Sequence, residues 1–274
     1  MPVREPFPEL SEILASIGEA GSRIAAIGAS EGGAGNISVC IGWPIEVRRQ
    51  FPVTEEIRLP LAAPHLAGRR IIVTGSGRRL RDLASDPAAN LGVVLVHADG
   101  ETGTLHTSPR CLFDGLTSEW NSHIGVHDDT IARADSNFHA VMHAQPPHLV
   151  YLSHLPEYAD EAYFNRRLLR WEPETIVNLP QGVGVLPFMV PGSAQLMDAN
   201  VAGLRTHRVV LWGKHGVMAR SDISITRAAD RIEYAETAAR YEYMDLLAGQ
   251  RAQGLSLDEM REIVTTFNVR TDVV

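Results

Sequence analysis

Lysine is nearly missing from this chain: among its 25 basic residues, Lys214 is the single one and the rest are arginines. A Schiff-base mechanism needs an amine whose pKa can be lowered, and a guanidinium cannot take its place. Lysine-based covalent chemistry therefore has one candidate. Cysteine is almost as scarce, with Cys40 and Cys111 alone. Two thiols so far apart make no disulfide scaffold, and two cannot build a four-thiolate zinc site. No stretch reaches 18 consecutive apolar residues, and the opening Met-Pro-Val-Arg-Glu-Pro-Phe-Pro lacks an apolar signal core. Neither a membrane span nor a secretory signal is expected, which leaves the cytoplasm as the simplest location. Basic runs interleaved with aromatics are missing too, and the net charge is −8. Nucleic acid is a poor partner on electrostatic grounds, and nothing points to a membrane surface. The positive cluster Arg78, Arg79 and Arg81 is left to serve something smaller.

What is present is ordinary for a globular protein, with 45% hydrophobic and 21% charged residues over 274 positions. There is no internal repeat, low-complexity segment or linker rich in proline and glycine, so one domain over residues 1–274 is expected. Residues 9–29 place Leu10, Ile13, Leu14, Ile17, Ile24 and Ile27 near helical spacing. A glycine-rich stretch, 31–36, leads into a short strand at 37–41. Further strands are predicted at 70–74 and 91–96, and Asp99-Gly100 signals a hairpin returning over 101–106. Thr117 and Ser118 before Glu119 read as a helix start. A strand at 138–144 is closed by Pro146-Pro147, which can begin a helix but not continue one. Helices follow at 161–171, from Ser193 to about Thr206, at 224–248 and at 256–267, with strands 209–212 and 216–219 flanking Lys214-His215. The elements do not alternate as regular βαβ units. The best fit is a three-layer α/β/α arrangement around a mostly antiparallel or mixed sheet.

The chemistry-bearing residues fall into a few clusters. Gly75-Ser76-Gly77-Arg78-Arg79-Leu80 follows a strand but lacks the third glycine of a dinucleotide fingerprint and the Gly-Lys of a Walker loop. It remains a glycine turn whose amides and Ser76 hydroxyl can hold a phosphate, or a plain tight turn. The 32–36 stretch before Asn36 carries the same two readings. Four of the eleven histidines lie within 139–154. On a strand His143 and Gln145 share a face, with His139 one pleat farther off, and His215 sits between glycines in a strand–loop–strand unit that can approach them. Imidazoles from two remote segments are one way to hold a divalent metal with open positions, although a lone histidine is more often a core or surface residue. Glu119 offers either a general base or a capping-region carboxylate, and Glu172 and Glu174 lie near a proline after Trp171.

At these residues the sequence resembles the class II, zinc-dependent sugar-phosphate aldolases. The matching segments are Gly35-Asn-Ile-Ser38, Ile72-Val-Thr-Gly-Ser-Gly77, Asp86-Pro-Ala-Ala-Asn-Leu-Gly92, Gly115-Leu-Thr-Ser-Glu119, Val141-Met-His143, the run from Gln181 to Gly192, and Val210-Leu-Trp212 with His215-Gly-Val217. They stand in the family's order over roughly residues 30–245. The resemblance implies an α/β/α fold, a homotetramer with active sites at subunit contacts, and cleavage of a ketose 1-phosphate to dihydroxyacetone phosphate and lactaldehyde. It implies a divalent cofactor, Zn2+, held by His143 and His215, with Glu119 as the catalytic carboxylate and Glu174 a second one lent across the interface. Asn36, Ser76, Gly77, Thr117 and Ser118 match the phosphate cradle. Two departures stand out. The family has His-x-His where this chain has His143-Ala144-Gln145, so the third ligand is either Gln145 or His148, or the site is weakened. Gly33 replaces an asparagine of the phosphate loop. The neighbouring activities, a pentulose-phosphate 4-epimerase or a thiosugar-phosphate dehydratase, share this chemistry, and a non-catalytic relative with a weakened metal site is the remaining alternative.

Overall fold

The computed structural model describes residues 3–134, 136–271 and 273. In chain order its elements are α1 (Leu10–Ala26), β1 (Asn36–Ile41), β2 (Val53–Arg58), β3 (Arg70–Thr74), α2 (Pro87–Asn90), β4 (Leu91–Val96) and β5 (Thr102–Thr107). There follow α3 (Trp120–Ala134), β6 (Phe138–Ala144), α4 (Pro147–Leu152), α5 (Glu161–Leu168), α6 (Pro173–Asn178) and β7 (Gly184–Leu186). The chain ends with α7 (Ala194–Thr206), β8 (Val209–Trp212), β9 (Gly216–Ser221), α8 (Ile225–Leu247) and α9 (Leu257–Thr266). Among the described residues, nine strands form one sheet in the order β2-β5-β4-β3-β1-β6-β9-β8-β7. Every pairing is antiparallel except β7 with β8, so the expected α/β fold around a mixed sheet is present. No helix among the described residues is long and apolar enough to cross a membrane.

Period-two alternation divides the central strands between two apolar layers. Ile37, Val39 and Ile41 of β1 and Ala140, Met142 and Ala144 of β6 pack with α1 and α8 into the larger core. Cys40, Ile71, Val73 and Val94 pack against Trp120, Ile124 and Ile131 of α3 on the opposite face. Farther along that face, Val141, Val210, Trp212 and Met218 meet Leu196 and Leu204 of α7. The alternation puts Ser38, His139 and His143 on the α3/α7 side. Side-chain caps set the helix starts: Ser193 accepts from Leu196 N–H at α7, and Ser224 from Arg227 N–H at α8.

Three differences from the sequence reading have local causes. β2 has an exposed Val-Thr-Glu-Glu-Ile-Arg pattern and lies at one edge of the sheet, where charge rather than alternation is what the position demands. β7 has three residues and forms the other edge. The helix expected over 161–171 stops at Leu168, and Pro173 opens the separate short α6.

Candidate metal centre

Strand β6 organises the site from the middle of the sheet. Its register places His143 opposite Asn36 of β1 on one side and Met218 of β9 on the other. The β8–β9 turn brings His215 over the same strand end, with Lys214 in the left-handed region at φ 62°. Gly216 is sterically required there: a Cβ would stand 2.5 Å from Ala144 O and 2.8 Å from Cε1 of His143. An isolated bridge between Gly75 and Leu116, with Ser76 N–H donating to Gly115 O at 2.8 Å, lays the glycine turn beside Thr117 and Ser118. Gly33 faces the same turn so closely that a Cβ would lie 3.1 Å from Gly77 O.

These segments enclose a cavity of about 220 Å³, bordered by Asn36, Ser76, Gly77, Thr117, Ser118, Glu119, His143, Gln145 and His215 together with 33–35, Gly75 and Pro191. Glu119 sits immediately before α3, and Thr117 Oγ1 accepts from its N–H at 3.4 Å. Its carboxylate is buried and accepts from Asn36 Nδ2 at 2.7 Å. Nε2 of His143 lies 3.6 Å and Nε2 of His215 3.5 Å from its two oxygens. Burial pushes the Glu119 carboxyl up, but His143, the Asn36 amide and His215 together hold it below the ordinary carboxylate range.

One atom of each of Glu119, His143 and His215 lies within 4.8 Å of the others, a donor set able to hold a metal ion. The protonation geometry fits a divalent cation. His143 Nδ1–H donates to Val217 O at 2.9 Å, which leaves the Nε2 lone pair facing the cluster. The His143 ring stacks on Trp212 at 4.6 Å and stands 4.9 Å from the His215 ring, so packing fixes its direction. Among the described residues His215 Nδ1 is buried without a hydrogen-bond partner, and burial lowers its pKa, which favours the neutral imidazole that can ligate. The two imidazoles suit zinc and related divalent ions, with the Glu119 carboxylate at hand beside them.

His148 is set aside as the third ligand. Its Nδ1 lies 2.6 Å from Glu236 Oε1, its ring packs on Tyr243, and it does not border the cavity. The cause is local: Glu236 of α8 accepts the N–H groups of His148 and Leu149 and so satisfies the start of α4. Gln145 borders the cavity. Glu174 is exposed on the first turn of α6 and takes no part in the cavity within one subunit. Lys214 is also exposed and outside it. Sequence reasoning passed over Trp212, which orients His143, and the helix-borne His123, whose i, i+4 spacing with His127 was its available signal.

A family model described as class II aldolase and adducin N-terminal domain matches residues 15–243. The chain belongs to that family. A relative from Klebsiella pneumoniae, a rhamnulose-1-phosphate aldolase, is 34% identical over 78% of this chain and 76% of its own. The rhamnulose-1-phosphate aldolase of Bacteroides thetaiotaomicron is 28% identical over 97% of this chain and 98% of its own. Among solved structures, a sugar-phosphate aldolase from Thermotoga maritima superposes with a TM-score of 0.74 at 26% identity, covering 89% of this chain and 99% of its own. The class II aldolase fold thus carries a cavity here that unites six remote segments of one chain.

Proposed function

We propose that the protein is a lyase, a divalent-metal-dependent aldolase that reversibly cleaves a ketose 1-phosphate of the rhamnulose-1-phosphate type to dihydroxyacetone phosphate and an aldehyde such as lactaldehyde. The observation that carries this reading is the buried Glu119 carboxylate at 3.5–3.6 Å from two imidazoles in one cavity. The homologues named rhamnulose-1-phosphate aldolase, which align over most of the chain, support the substrate class.

His143 and His215 hold the ion, Zn2+ in this reading, and Gln145 offers a neutral amide oxygen as a weaker third donor. When bound, the ion supplies Lewis-acid polarisation of the substrate carbonyl. Glu119, kept ionised by its neighbours, moves the proton at the substrate carbon beside that carbonyl. The phosphate docks on the hydroxyls of Ser76, Thr117 and Ser118, the backbone of Gly77 and the amide of Asn36. Ser76 contributes its hydroxyl, because its own N–H is engaged by Gly115 O. Glu174 completes the site from a neighbouring subunit of a homotetramer and serves the aldehyde oxygen. The whole chain works as one domain in the cytoplasm.

The test is a product assay on the metal-loaded protein with rhamnulose 1-phosphate, paired with metal analysis. Release of dihydroxyacetone phosphate, lost with a chelator and regained with Zn2+, is the expected result. An isomeric phosphate points to the epimerase alternative, and loss of water to the dehydratase. Pure protein that binds no divalent ion and shows no turnover sinks the reading in favour of a non-catalytic relative.

A further inference from the structure

Behind the cavity, four polar side chains that the proposed chemistry does not use extend from Asn36 in an unbroken hydrogen-bonded line away from Glu119. Asn36 Oδ1 contacts His123 Nε2, and His123 Nδ1 contacts Ser38 Oγ at 2.6 Å. Ser38 Oγ contacts His127 Nε2 at 2.7 Å, and His127 Nδ1 contacts His139 Nδ1 at 2.7 Å. Ser38 and the three histidines are fully buried. They come from β1, α3 and β6, and His123 and His127 share one face of α3 as an i, i+4 pair.

The direction of every bond follows from one end. The Glu119 carboxylate only accepts, so the Asn36 amide must turn its Nδ2 to it and its oxygen to His123. His123 then donates from Nε2 and, being neutral, accepts at Nδ1 from the Ser38 hydroxyl. With its single proton committed, Ser38 accepts from His127 Nε2–H. His127 Nδ1 in turn accepts from His139 Nδ1–H. The alternative directions require a charged imidazole in a dry interior. Burial opposes that strongly: it pushes His123 down to about 3 and holds His127 and His139 far below the ordinary range. The line ends at His139 Nε2, which has no hydrogen-bond partner among the described residues and stands 3.9 Å from Asp222 Oδ1.

We propose that His139, His127, Ser38 and His123 form a one-way positioning relay that locks the Asn36 amide, and through it sets the Glu119 carboxylate for the proton transfer. This rests on the reading of Glu119 as the catalytic carboxylate. Donors that all point the same way polarise one another, and an amide fixed at its oxygen cannot flip its N–H away from the carboxylate. None of the four relay residues borders the cavity, so each acts through Asn36 rather than on substrate.

Two variants break the line, Ser38→Ala and His127→Leu. One keeps it: in His127→Gln the amide can donate to Ser38 and accept from His139. With rhamnulose 1-phosphate and the Zn2+-loaded enzyme, each break is expected to lower kcat about tenfold, the scale of a lost supporting partner. KM and bound metal should stay within twofold of the parent, and His127→Gln should recover most of the kcat. Parent kcat in both breaking variants overturns the proposal. So does a loss that His127→Gln fails to recover, which is the mark of packing alone. Should the breaking variants not fold, long-range 1H–15N spectra of the unmutated protein decide. Neutral rings protonated at Nε2 of His123 and His127 and at Nδ1 of His139 are expected, and any other tautomer or a charged ring overturns the relay. Parent enzyme without lyase turnover would instead sink the reading of the function, an outcome those spectra do not depend on.

Discussion

At the scale of single residues, the proposed function gives the proton to Glu119 and the cation to His143 and His215. Replacing Glu119 by Gln keeps the shape and the hydrogen-bonding capacity but removes the base. Turnover should fall ~10²-fold or more with metal content unchanged, the usual size of an acid–base loss, read by steady-state kinetics beside metal analysis. Replacing His143 by Ala should do the reverse in kind and remove the metal itself, which elemental analysis of the purified variant detects. The buried imidazoles have a consequence for stability as well. In the fold His123 is pushed down to about 3 from an ordinary 6.5, and His127 and His139 are lowered by burial in the same direction. A histidine whose folded pKa is depressed lends stability that is complete above its unfolded value and is lost as the pH falls through that value towards the folded one. Each such group costs about 1.4 kcal/mol per pH unit in that window. Chemical denaturation should therefore show a steep decline in stability below about pH 6.5, approaching ~4 kcal/mol per unit if all three act. A flat profile between pH 6.5 and 5 would mean that these rings protonate without unfolding.

At the scale of elements, the site depends on how closely two strands and a turn approach. Gly216 begins β9 with no room for a methyl group against Ala144 O and the His143 ring. Gly216→Ala should cost about 1–3 kcal/mol in a urea titration, the range for overpacking a filled interior, because Ala144 O belongs to the backbone and cannot swing aside. The elements also show what the sequence could disclose. The β6 strand was legible to the residue, since Phe138–Ala144 is apolar but for His139 and His143 and is followed by two prolines. The capped helix α7 announced itself through Ser193, and α8 lies within the expected 224–248. The edge strands β2 and β7 did not, because an edge need bury little and its residues carry no alternation to read. At the site, spacing alone put His143 on a strand and His215 in a turn, but the resemblance supplied the pairing between them. His148 looked equivalent to Gln145 in sequence. Only the packing of α4 against α8 reveals that Glu236 engages it. The histidines of α3 were overlooked because helical spacing says which residues share a face, not what that face meets.

At the scale of the whole molecule, the exposed Glu174 separates a site complete within one subunit from one shared between two. Co-expressed Glu119→Gln and Glu174→Gln chains should regain activity that neither has alone. Random mixing in a symmetric oligomer leaves about a quarter of the sites with both carboxylates intact. No recovery in mixed oligomers would place the whole reaction inside one chain. The order of the sheet carries one more consequence. Asn36 reaches His143 only after β1 pairs with β6, and His215 joins them only when β9 is laid beside β6. Pairings between such distant stretches form slowly, after much of the chain is already in place. A polypeptide still on the ribosome and halted before Gly216 thus has nowhere for its two imidazoles to meet, and any ion they take up has to arrive after completion of the sheet rather than guide its first steps.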